Sequence, residues 1–246
     1  MIKNFKLIIE YDGSLFHGWQ RQKKDRTVQE TIENTISVMT KQPVNLIGSG
    51  RTDAGVHALG QVANFQSNTK ITPEIFKKGL NSLLPDDIVI ISCEQADLSF
   101  HARFAVKSKC YRYRLLNRLT PSAIARQYAW FIRKKLDIES MQCAALALTG
   151  TNDFKSFEGA GSPRRTSIRT LLKAEIIKKD KGLLDCEFTA DGFLRYMVRN
   201  ITGTLVDVGL GKITPKQVQK ILESKNRGIA GITAPSHGLF LVKVNY

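Results

Sequence analysis

Residues 72–92 read TPEIFKKGLNSLLPDDIVIIS, and this stretch decides how the first half of the chain folds. Thr72 before Pro73 is an N-cap followed by proline at the first helical position, where its missing N–H costs nothing. The spacing predicts a helix through Leu83. Asp87–Ser92 (DIVIIS) is rich in β-branched residues and reads as a strand. Working back toward the N-terminus, Gln61–Phe65 and Val44–Ile47 read as two more strands. Thr27-Val-Gln-Glu30 has the form of a capping box, with Val28, Ile32, Ile36 and Met39 following at helical spacing. Phe5–Tyr11 (FKLIIEY) reads as a further strand. The order is β-α-β-β-α-β.

The second half repeats it. Lys109–Leu116 is strand-like, and Asp137 caps an alanine- and leucine-rich helix to Leu148. A loop with Gly159, Gly161, Ser162 and Pro163 follows. Leu171–Lys178 and Leu183–Ala190 read as strands. A helix is predicted from about Leu194 to Val208, then a short one opening at Thr214-Pro-Lys-Gln217, then a closing strand over Gly238–Val244. The expected fold is therefore α+β, two ferredoxin-like (βαββαβ) subdomains sharing an extended, mainly antiparallel sheet with a central cleft. The N-terminal subdomain is expected over residues 1–105 and the C-terminal one over 106–246. No sequence repeat or low-complexity tract is visible.

The chain of 246 residues is 42% hydrophobic, enough to bury a core. Its 37 Lys and Arg against 22 Asp and Glu give a formal net charge of +15. An excess of that size points to a polyanion, nucleic acid before an anionic membrane surface. Met1–Lys6 runs straight into a strand, so no signal peptide is expected. No apolar run approaches the roughly 20 residues of a membrane-spanning helix. Cys93, Cys110, Cys143 and Cys186 form no C-x-x-C pair and have no histidine at ligand spacing. They read as reduced thiols of a cytoplasmic protein, and no metal or cofactor is expected. Gly209-Leu-Gly-Lys212 fails as a phosphate loop, because Val206 stands where its first glycine belongs and Ile213 where Ser or Thr should follow.

The segment with most chemistry in it is Gly48-Ser-Gly-Arg-Thr-Asp-Ala-Gly-Val-His57. Three glycines break the chain between two predicted strands, and Arg51 and Asp53 stand among them. Charges on such a loop are costly to bury unless paired. Spacing alone fits two readings equally: a nucleophile or base with a charge partner, and a surface turn with a capping Asp.

Residues 48–65, GSGRTDAGVHALGQVANF, closely resemble the signature of the TruA-type tRNA pseudouridine synthases, with every fixed position of the R-T-D-x-G-V-H-A core present. Tyr11–Gln20, Phe100–Arg103, Lys109–Tyr113, Phe193–Asn200 and Ala234–Leu239 match the same family in order, so the resemblance covers nearly the whole chain. One position departs: where the family often has histidine in G-x-H-D-F, this chain has Asn152.

The resemblance implies that Asp53 is a nucleophile that attacks C1′ or C6 of a tRNA uridine, after which the uracil turns and rejoins through C5. It implies that Arg199 pairs with the aspartate and keeps it ionised, and that Tyr111 stacks on the target uracil. It assigns Arg51 to phosphate or to displacing the base. It implies a site in the cleft between the halves, base flipping, a tRNA substrate read on the 3′ side of the anticodon stem-loop, a homodimer, and no cofactor.

Strand period adds an independent expectation in Tyr111-Arg-Tyr-Arg114: tyrosines on one face for bases, Arg112 and Arg114 on the other for phosphates. Arg164 and Arg165, beside a Gly-rich loop, and Arg195, on one helical face with Arg199, are further RNA-binding candidates. His17, His57, His101 and His237 are too scattered to form a catalytic set. Two rivals remain at this level: an RNA-binding protein without chemistry, and a metal-dependent nuclease built on Asp53 and His57. Against the second, the loop carries a single carboxylate, whereas two-metal sites need several.

Overall fold

The structure, a computed structural model, describes residues 1–161 and 165–246. By contacts the chain divides into two compact units, residues 1–107 with 240–246, and residues 108–239.

The first unit carries β1 (Lys3–Tyr11), α1 (Val28–Thr40), β2 (Ile47–Gly48), β3 (His57–Ser67), α2 (Pro73–Leu83) and β4 (Ile88–Ala96). β1 lies between β4 and β3, antiparallel to both, and β2 adds antiparallel to β3. This is the βαββαβ order and the alternating sheet that the pattern predicts. Phe5 opposes Phe65 across the ladder, and Phe76 of α2 closes on both at 4.7 and 5.3 Å between ring centroids. Phe5, Leu7, Ile9, Ile32, Ile36 and Leu80 complete a core without solvent exposure. Thr72 caps α2 as expected, its hydroxyl accepting from the Ile75 amide.

Two details differ. α1 begins after Thr27, but the Thr27 hydroxyl is buried without a partner and no capping box forms. Backbone does the capping instead: the amides of Val28 and Gln29 donate to the carbonyls of Gly18 and Trp19. The strand expected over Val44–Ile47 shrinks to Ile47–Gly48. The Leu46 amide donates at 2.8 Å to the buried Glu33 carboxylate, which takes the donor a ladder would use.

In the second unit the elements are β5 (Ser108–Asn117), β6 (Trp130–Ile132), α3 (Ile138–Leu146), β7 (Gly150–Asp153), β8 (Ile168–Lys178), β9 (Leu183–Ala190), α4 (Met197–Gly209) and α5 (Pro215–Ser224). β9 runs antiparallel to both β5 and β8, and β7 to β8. β6 pairs in parallel with the end of β5. β6 and β7 were not expected; each has four residues or fewer, too short to show a period. Asp137 caps α3 through the Ser140 amide, and Gln217 accepts from the Thr214 amide at the start of α5.

β10 (Leu239–Asn245) pairs in parallel with the start of β3, Phe240 opposite His57. Residues 240–246 therefore group with the first unit, although chain order had placed them with the second half.

Candidate active site

Two segments far apart in sequence build the surroundings of Asp53. One is the turn after β1, Tyr11–Gln20; the other is the loop from β2 into β3, Gly48–His57. Trp19 N–H donates to the Thr52 carbonyl at 3.1 Å, and Gly55 N–H to the Phe16 carbonyl at 3.2 Å. The hydroxyls of Tyr11 and Thr52 share a hydrogen bond, and Arg51 Nε donates to the Gln20 side chain at 3.0 Å. From β3, Gln61 accepts from the Ser49 hydroxyl and donates to the Gly50 carbonyl. The loop closes on itself where the Val56 amide meets the Asp53 carbonyl at 3.2 Å. Asp53 is thus flanked on both sides by residues anchored to the turn after β1, which lowers the freedom of its carboxylate before any substrate arrives.

Gly18 shows why the turn fits so closely. Its φ is +93°, and a Cβ there would stand 2.6 Å from the Thr52 carbonyl oxygen. Trp19 is buried and faces Tyr11 at 6.1 Å between centroids, so it is part of the core and not an open platform for a base.

Asp53 is half-buried and Arg51 exposed. Thr52, between them, is buried. His57 is buried too, its ring stacked on Phe240 at 4.7 Å. Its Nδ1 accepts from the Gly13 amide at 3.0 Å, while an Asp12 carboxylate oxygen lies at the same distance. A ring nitrogen carries a lone pair or a proton, not both, so the Gly13 donor and the Asp12 acceptor compete for it. Either way the imidazole serves the turn. Among the described residues no group of three or more His, Cys, Asp or Glu is placed to hold a metal ion. No helix among them is long and apolar enough to cross a membrane.

The remaining candidates belong to the second unit. Tyr111 is buried to within 8% exposure and meets Phe193 edge to face at 5.0 Å. Tyr113 shares its face but is fully buried, its hydroxyl donating to the Pro235 carbonyl at 2.7 Å. Burial raises its pKa well above that of an ordinary phenol. Tyr113 is a core residue, so the aromatic face of β5 is not a two-ring platform.

Arg112 and Arg114 lie on the opposite face, as the strand period predicts, yet they are not a bare cationic stripe. Arg112 pairs with Glu187 at 2.8 Å and Arg114 with Asp185 at 2.9 Å, both carboxylates arriving from β9. The register puts Arg112 opposite Glu187 and Arg114 opposite Asp185. A single-strand reading could see the arginines but not the acids that cross from the next strand.

α4 starts later than expected, because Tyr196 takes a left-handed conformation in front of it. Arg195 therefore stands outside the helix and does not share a helical face with Arg199. Arg195 is exposed and donates to the Ala160 carbonyl. Arg199 is half-buried, its Nε donating to the Ala234 carbonyl at 2.7 Å, with the Ala234 amide returning a bond to the Arg199 carbonyl. Two of the matched segments, 193–200 and 234–239, are thereby bound together. Arg165 is exposed, and Arg164 lies outside the described residues. Asn152 sits on β7 and donates to the carbonyls of Leu148 and Thr149, a local helix-end role.

Sequence reasoning missed a polar hub behind Arg199. Arg227 donates to the Gly231 carbonyl, Thr233 and Asn200, while the fully buried Asn200 accepts from Thr233 and donates to the Phe157 carbonyl. Desolvation lowers the Arg227 pKa from its usual value. Only the position of Asn200 inside the 193–200 match hinted at it.

A family model described as tRNA pseudouridine synthase matches residues 7–105 and 144–246. Over 245 residues, with both chains fully covered, the sequence is 50% identical to tRNA pseudouridine synthase A of Acetivibrio thermocellus. It is 49% identical, again over full length, to tRNA pseudouridine synthase A of Thermoanaerobacter pseudethanolicus. The protein of the same name from Clostridium acetobutylicum is 46% identical over the same span.

Proposed function

The chain belongs to the tRNA pseudouridine synthase family, which makes it an isomerase, and from that premise we propose that Asp53 converts uridine to pseudouridine in the anticodon stem-loop of tRNA. The observation that carries the reading is the loop holding Asp53: it bears the full R-T-D-x-G-V-H-A core and is braced on both sides of the carboxylate by the Tyr11–Gln20 turn.

In the proposed reaction Asp53 attacks C1′ or C6. The N1–C1′ bond breaks, the uracil turns, a C5–C1′ bond forms, and the bond to Asp53 breaks to return the free carboxylate. N1 gains a proton and C5 loses one, so substrate and product are isomers. A covalent intermediate divides one hard step into two easier ones. Arg199 keeps the carboxylate ionised, since a guanidinium favours the charged form of a neighbouring acid. Tyr111 offers its ring to the flipped uracil. A base inside a stacked stem cannot reach a carboxylate, so the reaction requires flipping.

For RNA contacts we propose Arg51, Arg165 and Arg195, the members of the candidate set that are exposed among the described residues. Arg112 and Arg114 are already engaged with carboxylates, and their role here is to hold the β5–β9 ladder. The substrate region is the 3′ side of the stem-loop, bound by a homodimer in the cytoplasm without cofactor or metal, as the family resemblance implies. The test is tritium release from tRNA labelled at C5 of uridine, with and without EDTA. Release unaffected by chelator supports isomerisation without a metal; no release from folded, tRNA-binding protein leaves a binding protein without chemistry.

A further inference from the structure

Next to Arg199 the backbone adopts a conformation that its side chain disfavours. Tyr196 sits at φ 61°, ψ 2°, a region where a bulky side chain crowds its own backbone. Such outliers persist only where the surroundings over-determine them, and they gather at functional sites. Here the surroundings are explicit. The Gly159 amide donates to the Arg195 carbonyl at 2.8 Å, and the Asn200 amide to the Tyr196 carbonyl at 2.8 Å. Gly159 lies so close to the Tyr196 ring that a Cβ at 159 would collide with it.

Two guanidiniums rest against that ring. Arg195 is 4.7 Å from the centroid and also donates to the phenol oxygen at 3.0 Å. Arg199 is 4.9 Å from the centroid. The attraction is that of a cation for the electron-rich face of an aromatic ring. Arg199 thus has two contacts, its Nε on the Ala234 carbonyl and its guanidinium carbon over the Tyr196 ring. A planar fork with two such contacts has fewer directions open to its donors.

We propose that Tyr196 is a positioning residue, its ring setting the orientation of the Arg199 guanidinium for the carboxylate that the reaction uses. This rests on the role given to Arg199 above.

The test compares Tyr196→Phe, Tyr196→Asn, Tyr196→Gly and Arg199→Lys in single-turnover tritium release, tRNA affinity and thermal melting. Tyr196→Phe keeps the ring and should stay within about twofold of the unaltered rate. Asn and Gly suit the left-handed backbone but lack the ring. They should slow the reaction by about tenfold or more while tRNA affinity stays within about threefold and melting is preserved, the pattern of a lost transition-state contact. Undiminished rates in Asn and Gly overturn the inference, as does a rate loss that follows a melting loss in all three variants including Phe. A slow Arg199→Lys beside a fast Tyr196→Gly overturns this inference alone. A full rate in Arg199→Lys overturns the role of Arg199 and takes this inference with it.

Discussion

The hydroxyls of Tyr11 and Thr52 stand 2.7 Å apart in a buried hydrogen bond, tying the end of β1 to the residue beside Asp53. Both side chains are nearly inaccessible, at 3% and 7% exposure. Burial raises the Tyr11 pKa far above that of a free phenol, so the group is a neutral donor or acceptor and not a charge. Its place is structural: it fixes the height of the loop over the strand.

Tyr11→Phe should therefore leave the Thr52 hydroxyl buried without that partner, at a cost of about 1–3 kcal/mol in stability. Denaturant unfolding reads this directly. The isomerisation rate should fall more than tRNA affinity, because Thr52 is bonded directly to Asp53, whereas of the exposed arginines proposed for RNA it adjoins Arg51 alone.

Asp53→Asn should abolish tritium release and leave tRNA affinity within about an order of magnitude, since phosphate contacts dominate binding. The amide has nearly the same shape, so melting should be unchanged. Turnover by the Asn variant near the normal rate would remove Asp53 from the mechanism.

Gly18→Ala should be among the most damaging single-methyl changes in the chain. It forces a Cβ into a φ of +93° and within 2.6 Å of the Thr52 carbonyl oxygen. A loss of roughly 2 kcal/mol or more is expected, with loss of activity from a loop pushed off the turn. Circular-dichroism melting and tritium release, measured on the same preparation, check both.

Arg114→Ala separates a structural from an RNA-binding role. It removes the closer partner of Asp185, a carboxylate at 2% exposure, and leaves Arg112 at 3.5 Å. Stability should drop by about 1–3 kcal/mol for a buried carboxylate short of a partner, while tRNA affinity moves by less than about threefold. A large affinity loss with unaltered stability would reverse the assignment.

Thiol reactivity should divide the four cysteines by burial. Desolvation pushes the Cys93 thiol up to about 12, and it raises the buried Cys186 further still. Since the thiolate is the reactive form, a raised pKa means less of it at any given pH. Alkylation of native protein near neutral pH should label exposed Cys143 first and spare Cys93 and Cys186, read by peptide mass. Raising the pH to about 9 should not bring Cys93 into reaction unless the fold opens.

Much of the fold was legible because its elements carry their own signals. Thr72-Pro73 set the start of α2, Asp137 that of α3 and Thr214-Pro215 that of α5, each through local chemistry of a helix end. Where a neighbour distant in sequence supplied the decisive group, the reading failed. The capping box at Thr27 gave way to carbonyls from Gly18 and Trp19. The strand before Ile47 lost a donor to Glu33, thirteen residues earlier than Leu46. The start of α4 moved because Tyr196 is held left-handed by Gly159 and two arginines.

The sequence by itself determined the α+β order, the family, and the identity of the loop around Asp53, because helix caps, strand periods and a continuous motif are local properties of the chain. Tertiary structure alone decided which cations are engaged. Arg112 and Arg114 look alike in a strand pattern, but the carboxylates that pair with them come from β9, more than seventy residues away. Arg195 and Arg199 look like one helical face, but they meet at the ring of a residue that is not helical. Charge and ring contacts act through space over a few ångströms, whereas a sequence records only neighbours along the chain.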